Sequence, residues 1–498
     1  MEMTVVRRYA AFSAWVRGPA QFRRFRNRSS SSKRNPSPRR ISADTRKEAS
    51  LSATNEEHLP KWSSISGWAG TCHARCQVIR CADSTEASQQ AKESNLWLPR
   101  GAGCSYGDAA ILDQGHLLLL DRPQVSETSS ESSDSVIVSS ALTLRNLLST
   151  LASEGLTLPV VPGVLDATVG GLIAADAHGK NHLNRGSFRD VTDSFQLLLS
   201  SGEVVDCDRS HNQELFEGTI GGVGLTGMIL AAQLQVIPFA GPRALVEVTS
   251  TPDLETSLDQ LHRQAQRQEH VAAWIDPTSS GASFGRGIVV AGTPVTGSGN
   301  EKTVWNLSRG CPFPPGLGRM LTPRTLRWHN QLRHGFTRGG DHSRPWKLDQ
   351  LLFPLERWSN WKRLYQPRGF HQHQSLLPPE SSPQAIRNLL KMACSGALGP
   401  TLVVAKCMRS GGGWLSFPDQ GITLTMDIRA DQDSENLLRR LNEEVADQGG
   451  KVYLAKDSTL TPGLLARMYP DLSRFKDLRQ RIDPDRKIAS NLSRRLDL

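Results

Sequence analysis

The sequence predicts an α+β protein in which a glycine-punctuated mixed domain is followed by a second mixed domain with longer helices. Three observations carry this expectation. From residue 55 to about 240, short apolar runs alternate with short helical stretches, the rhythm of mixed domains. Near Pro238 the pattern changes to longer amphipathic stretches separated by strand-like runs. Glycine and small polar residues concentrate in three segments, all before residue 230.

In chain order, CQVIRC (76–81), LWLP (96–99), HLLLL (116–120), SVIVSS (135–140) and SFQLLLSS (194–201) read as strands, being short, apolar and bounded by polar residues. STEASQQAKES (84–94) and TLRNLLSTLASEG (143–155) read as helices, and VSETSSESSDS (125–135) as an acidic surface loop between strands. In the second half, LETSLDQLHRQAQ (254–266) and PQAIRNLLKMA (383–393) read as helices, with strands at GIVVAG (287–292), TLVVAK (401–406) and GITLTMDI (421–428). The last fifty residues return to a strand, KVYLAKDS (451–458), then helical stretches within ARMYPDLSRFKDLRQRIDP (466–484). These boundaries divide the chain into an arm (1–54), a first domain (55–240), a second (241–450) and a C-terminal segment (451–498). No internal repeat is visible.

With 498 residues, 38% hydrophobic and 22% charged, the chain is long enough for several cores. The net charge of +10 is local. Residues 1–50 hold 13 Lys/Arg against 3 Asp/Glu, and the remaining 448 carry 46 of each sign. A neutral body argues against a nucleic-acid partner, which needs a basic folded surface. The arm, with its RNRSSSSKRNPSPRR run, lacks the apolar core of a secretory signal. It reads as a solvated arm. The alternatives are a transit peptide, giving an organellar location, or a short basic helix at Arg7–Arg17 touching anionic lipid. No run approaches the roughly 20 apolar residues of a membrane span. The eight cysteines are scattered without a CxxC pair, which suits a reduced, cytoplasmic chain. Cys72, His73 and Cys76 fit no zinc spacing well, so no metal is expected.

The glycine segments are Pro99–Asp108, then Val161–Gly163 with Thr168–Ala174, then Gly221–Gly227. Without a Cβ, glycine lets backbone N–H groups approach a phosphate or a ring, although any one segment also reads as a tight turn. None follows a strand as GxGxxG, and GxxxxGK[ST] is absent, so a diphosphate nucleotide held by another fold is the expectation.

The order RGAGCSYGD (100–108), PGVLDATVGGLIAADAHGKNH (162–182), GSFRDVTDSFQLLLSSGEV (186–204) and ELFEGTIGGVGLTG (214–227) resembles the FAD-binding domain of the vanillyl-alcohol-oxidase superfamily, the PCMH-type flavoproteins. AWIDPTSSGASFGRG (273–287), FHQHQSLLP (370–378), LVVAK (402–406), LSFP (415–418) and KVYLAKDSTLTP (451–462) extend the likeness over roughly residues 60–498. The likeness is strongest to the branch that oxidises the 2-hydroxyl of a polyprenyl-phosphate-linked ribose. It implies a two-subdomain FAD-binding domain, a substrate domain with an antiparallel sheet, and a C-terminal segment that returns to the FAD domain.

The resemblance also assigns residues. Pro99, Arg100, Gly101, Ala102, Gly103, Cys104, Ser105, Tyr106, Gly107, Asp108 and Ala109 are expected around the FAD diphosphate. Gly163, Thr168, Val169, Gly170 and Gly171 are expected to line the cofactor, with Ala175, Asp176, Ala177 and His178 near the ring and Ile229 and Tyr453 as further contacts. Many relatives carry a flavin-linking histidine where this chain has Cys104, and the polyprenyl-phosphosugar branch carries an arginine and holds FAD non-covalently. Non-covalent FAD is therefore expected, with thiol attack on the flavin methyl as the alternative.

Lys456 matches the family's active-site lysine, which takes the substrate's hydroxyl proton; read alone, it is a surface lysine at a strand end. Tyr106, Gln372, Gln374 and Lys406 match substrate-pocket positions, suited to orienting hydroxyls and meeting phosphate. His178 is either a donor to hydroxyl or flavin, hence a catalytic candidate, or structural; Trp274 lines the pocket or packs in the core. Thr423 and Thr425 replace the Asn and Cys of that branch, and residues 295–345 differ from it, offering a mouth cover, a membrane-facing stretch or a mobile loop. The expected reaction is oxidation of a sugar hydroxyl, the first half of an epimerisation in cell-wall polysaccharide precursor synthesis. A separate NAD(P)H-dependent short-chain reductase would complete it. The alternatives are an aldonolactone or alditol oxidase using oxygen, and a non-enzymatic binding protein with a basic arm.

Overall fold

The computed structural model describes residues 62–121, 134–296, 305, 307, 310–314, 316–337, 343–381 and 383–498. The basic arm, most of the acidic loop at 125–135 and parts of 295–345 lie outside the described residues.

The first layer is a four-stranded sheet of β1 (Trp62–Ser66), β2 (His73–Cys81), β3 (Trp97–Pro99) and β4 (His116–Leu120), in the order β1-β2-β4-β3. α1 (Ser84–Glu93) follows β2. It starts at Asp83, whose carboxylate accepts the Thr85 and Glu86 N–H groups and satisfies two orphan donors of the first turn. β2 alternates exposed and buried residues, so exposed His73 and buried Cys76 point to opposite sides. That geometry removes the zinc reading, and all eight cysteines are free thiols.

The second sheet contains β5 (Ser135–Ser139), β6 (Thr192–Leu198), β7 (Val204–Asp208) and β8 (Met228–Gln235), ordered β5-β8-β6-β7 and antiparallel throughout. α2 (Leu144–Ser153) is capped by Thr143 and buries Leu144, Leu147, Leu148 and Leu151, one stripe at helical spacing. Each fully buried leucine contributes roughly 1.5–3 kcal/mol. The short helix α3 (Val169–Ala174) follows, capped by Thr168.

The third sheet has eight strands. β9 (Arg243–Thr251), β10 (His270–Ile275), β11 (Gly287–Val295), β12 (Arg344–Lys347), β13 (Phe370–Leu377), β14 (Leu402–Met408), β15 (Gly421–Arg429) and β16 (Lys451–Val452) are ordered β12-β9-β11-β10-β14-β15-β13-β16. α4 (Leu254–Ala265), α5 (Pro323–Thr337), α6 (Leu348–Leu352), α7 (Pro383–Ala393) and α8 (Ser434–Asp447) accompany it. A mixed α+β architecture with antiparallel sheets is thus established.

The strand read over 451–458 is corrected: only Lys451 and Val452 pair with β13, and the chain then turns. The reason is local. The N–H groups of Lys456 and Asp457 both donate back to Tyr453 O, and the Asp457 carboxylate accepts the Thr459 and Leu460 N–H groups. The Asp side chain offers the backbone a turn in place of a ladder. After α9 (Pro462–Met468) and α10 (Leu472–Ile482), the chain reaches the first sheet: Trp97 N–H donates to Lys487 O and Ala489 N–H to Trp97 O. It ends in α11 (Asn491–Leu496). Among the described residues no helix is long and apolar enough to cross a membrane.

Candidate active site

The loop after β3 is fixed at both ends. Arg100 N–H donates to Leu118 O and Tyr106 N–H to Ala455 O, each at 2.9 Å. Between them, the N–H groups of Gly101, Ala102, Gly103, Cys104 and Ser105 have no protein acceptor among the described residues. Five successive open donors are what an anion-binding backbone concavity requires. The loop's own charges brace it from behind. The Arg100 guanidinium donates to Ala110 O, and Asp108 accepts from Nε and Nη2 of Arg495, each at 2.9 Å. Gly103 takes a positive φ of 68°, and a side chain on Gly101 would collide with Thr168 Oγ1, so the loop lies directly against the start of α3.

Thr168–Gly171 is used differently. Val169 N–H donates to Leu142 O, Gly170 N–H to Ser140 O and Gly171 N–H to Thr168 Oγ1. These donors are spent inside the protein, so this stretch shapes the wall beside the loop while the loop supplies the open N–H groups. Gly163 is exposed nearby, and Ile229 is buried in the core of β8. Beyond α3, Asp176 is fully buried with φ +42°; its Oδ1 accepts Arg189 N–H. Ala177 N–H closes the turn to Leu172 O.

The facing wall is the eight-stranded sheet. Its register pairs Gln372 with Asp427, Gln374 with Thr425, Lys406 with Thr423 and Trp274 with Val404. Because side chains alternate across a strand, Gln372, Gln374, Asp427, Thr425, Thr423, Lys406 and Trp274 all stand on one face. Gln372 Nε2 donates to Asp427 Oδ1 at 2.6 Å. Gln374 Nε2 donates to Thr423 Oγ1 and to His178 Nε2, each at 3.0 Å, tying this face to the turn after α3. His178 therefore accepts at Nε2 and carries its proton at Nδ1, which is buried without a hydrogen-bond partner among the described residues. Burial and the nearby lysines hold His178 well below the usual imidazole range, so it is neutral. Its ring stacks on Phe417 at 5.8 Å and lies 5.7 Å from Tyr453, whose hydroxyl donates to Ala175 O.

The turn after β16 presents Lys456. Its Nζ lies 5.3 Å from the Tyr106 ring centroid and 5.9 Å from that of Tyr453. Burial, reinforced by Lys406 and opposed by Asp427, brings Lys456 down to about 7. Lys406 is lowered to about 8 by burial, although part of its side chain remains accessible from the space beside the sheet. Tyr106 is pushed up by burial, with nearby Gln372 opposing the shift, and remains a neutral phenol. Trp274, 5% exposed, packs under the Arg333 guanidinium of α5 at 4.2 Å.

Two residues that motif reading passed over belong here. Lys180 donates from Nζ to Leu351 O and Leu352 O at 2.7 Å and is lowered to about 7 by burial and by Lys406. It sits inside the HGKNH motif, a signal in plain sight. Asp427 lies two and four residues beyond Thr425 and Thr423 in one strand, and period-2 alternation alone places it beside them.

Cys104 is partly exposed, but burial of its sulfur pushes the thiol up to about 12. A neutral thiol is a poor nucleophile.

The arrangement fits FAD: open N–H groups for the diphosphate, and a neutral His178 Nδ1–H and aromatic wall for the ring. Comparison with known proteins agrees. A model described as FAD binding domain matches residues 79–208, and one described as D-arabinono-1,4-lactone oxidase matches 377–496. An uncharacterized protein of the mprA 5' region of Streptomyces coelicolor is 32% identical, covering 72% of this chain and all of that one. Decaprenylphosphoryl-β-D-ribose oxidase of Mycolicibacterium smegmatis is 29% identical over 87% of this chain and 97% of its own. Mouse L-gulonolactone oxidase is 24% identical over 77% of this chain and 86% of its own. FAD is therefore the cofactor.

Proposed function

We propose a substrate and a reaction for a chain that belongs to the FAD-binding, PCMH-type oxidoreductases. It oxidises a secondary sugar hydroxyl, the 2-hydroxyl of a polyprenyl-phosphate-linked ribose, as the first half of an epimerisation. The carrying observation is a cationic cluster of buried lysines: Lys406 lies close enough to Lys180 and to Lys456 to reinforce the lowering that burial imposes on both, with Asp427 opposing it at Lys456. Such an excess suits a phosphate-bearing sugar, whereas a neutral lactone has no use for it. The likeness to the Mycolicibacterium enzyme supports the same reading.

Bound FAD supplies the acceptor for the hydride that leaves the carbinol carbon. The protein's part begins with the glutamine amides of Gln372 and Gln374, which orient sugar hydroxyls. Lys406 meets the anionic group. Lys456, poised near neutrality, takes the hydroxyl proton at Nζ, with the Tyr106 phenol beside it. His178 donates from Nδ1 toward the ring and keeps Gln374 in place through Nε2. The FAD is held without a covalent link, in keeping with the neutral Cys104 thiol. A separate NAD(P)H-dependent reductase of the short-chain type would return the ketone to the epimeric alcohol.

A second reading, an oxygen-using aldonolactone oxidase, is favoured by the lactone-oxidase match over 377–496. Anaerobic mixing separates them. Farnesylphosphoryl-β-D-ribose should bleach the flavin within the mixing experiment and L-gulono-1,4-lactone should not. Rapid aerobic turnover of the lactone with peroxide formation, and none of the phosphosugar, would overturn the first reading.

A further inference from the structure

The reaction outlined above leaves one buried carboxyl unused. Asp427 stands in the body of β15, 1% exposed. Oδ1 accepts Gln372 Nε2 at 2.6 Å, and Oδ2 has no hydrogen-bond partner among the described residues. The Tyr365 hydroxyl approaches the carboxyl but is engaged with Thr401 Oγ1 at 2.6 Å. A carboxyl sealed into a sheet with one oxygen unsatisfied is costly unless a charge compensates it. Gln372 lies close enough to the Tyr106 hydroxyl to lower it against burial, and Lys456 Nζ lies 5.3 Å from the Tyr106 ring centroid. Asp427, Gln372, Tyr106 and Lys456 thus form a connected line from the middle of the sheet to the proton acceptor.

We propose that Asp427 is a positioning residue that acts across Gln372 and Tyr106 to hold Lys456 ready and to stabilise the proton it receives. This rests on the reading of Lys456 as the base. When the substrate O–H bond breaks, the proton passes to Nζ and the neutral amine becomes an ammonium. The electron pair of the O–H bond forms the second C–O bond as the hydride leaves carbon. The new positive charge faces the Asp427 carboxylate, so the step ends with paired charges where it began with an uncompensated anion.

The other groups facing Lys456 are Lys406 from β14, His178 beyond α3, and the rings of Tyr106 and Tyr453. Those facing Asp427 are Lys456, Tyr106 and Tyr365. Lys406 disfavours the ammonium of Lys456, and Asp427 favours it. Removing the carboxylate leaves the opposing charge alone.

The test uses the flavin-loaded enzyme and needs no substrate for its first readout. Acetic anhydride labels neutral amines, and peptide mass spectrometry reads labelling at Lys456 across pH. In Asp427→Asn the midpoint should fall by about one pH unit, a roughly tenfold change in the protonation equilibrium. Gln372→Met, which keeps the carboxylate but breaks the bridge, should move it the same way by less, and it decides the matter where Asp427→Asn fails to fold. In anaerobic flavin reduction by the phosphosugar, the acid limb should move with the midpoint and the plateau rate should drop about tenfold. A role confined to holding the sheet would lower the melting temperature and leave the midpoint in place, which overturns the proposal. A midpoint that moves in an enzyme inert to every sugar would retain the Asp427–Lys456 coupling and discard the proposed reaction.

Discussion

Tyr106 meets the turn of Lys456 twice: its N–H donates to Ala455 O at 2.9 Å, and the Lys456 Nζ lies 5.3 Å from its ring centroid. The end of the glycine loop and the turn carrying Lys456, the base of the proposed reaction, are thereby a single unit. Lys456→Met keeps the backbone bond and removes the base. It should bind FAD with an unchanged visible spectrum. Its flavin reduction by the phosphosugar should slow by about 10²–10⁴-fold, the range for a general base. Stopped-flow bleaching at saturating substrate checks this.

The pH dependence follows from the sign of the Lys456 shift. Burial lowers it from its ordinary value to about 7, so the amine is mostly protonated below that pH and mostly neutral above it. Only the neutral amine accepts a proton. The rate of flavin reduction should rise through about pH 7 and level off above, and Lys456→Met should lose that limb. A profile in which the rate falls on raising the pH through 7 would contradict the assignment.

Cys104 should be dispensable for cofactor retention. Its thiol is pushed up to about 12, and the open N–H groups of the loop belong to the backbone. Cys104→Ala should keep a full complement of FAD. Acid precipitation of the wild type should release the yellow colour to the supernatant; colour retained in the pellet, and lost in Cys104→Ala, would place a covalent bond there.

Much of this site was legible in the sequence, for reasons that differ by residue. The loop 100–108 announces itself because close backbone approach demands glycine, and the strand before it is short and apolar. Gln372, Gln374 and Lys406 sit in runs whose alternation predicts a shared face once the strands are paired. The pairing is long-range, however: β13 lies between β15 and β16, far apart in the chain. That is why Asp427, which alternation sets on the face of Thr423 and Thr425, could not be placed opposite Gln372 from the sequence. The KVYLAKDS run failed as a strand because the Asp457 side chain caps a turn that local apolarity does not reveal. Nor does spacing show that the N–H groups of Val169 and Gly170 are already spent on Leu142 and Ser140.

Gly107 should tolerate no side chain. A Cβ there would collide with Asp457 O, directly behind Lys456. The backbones cannot separate without losing the Tyr106–Ala455 hydrogen bond. Gly107→Ala should cost about 1–3 kcal/mol in stability, as overpacking does, and should impair flavin reduction more than its loss of stability explains. Denaturant midpoints beside single-turnover rates separate the two effects.

Arg495 should be the strongest single support of the unit, although only three residues follow it in the sequence. Its guanidinium spans two carboxylates, Asp108 of the cofactor loop and Asp457 of the lysine turn, at 2.9 Å each, and donates further to Leu460 O. Both partners are buried, Asp457 to 5% and Asp108 to 7% exposure. Removing the arginine leaves two carboxylates facing one another away from water, a worse outcome than the loss of an ordinary ion pair. Arg495→Met preserves most of the packing of the stem, so the change reports on charge. Stability should fall by about 3–5 kcal/mol, the range for breaking a buried pair by removing one partner. The loss should shrink as the pH is lowered and the stranded Asp108 carboxyl, which burial already pushes up against the pull of Arg495, becomes protonated. Thermal unfolding of both proteins between pH 4 and 8 measures this, and a gap between them that stays constant with pH would show that Arg495 acts through packing instead of charge.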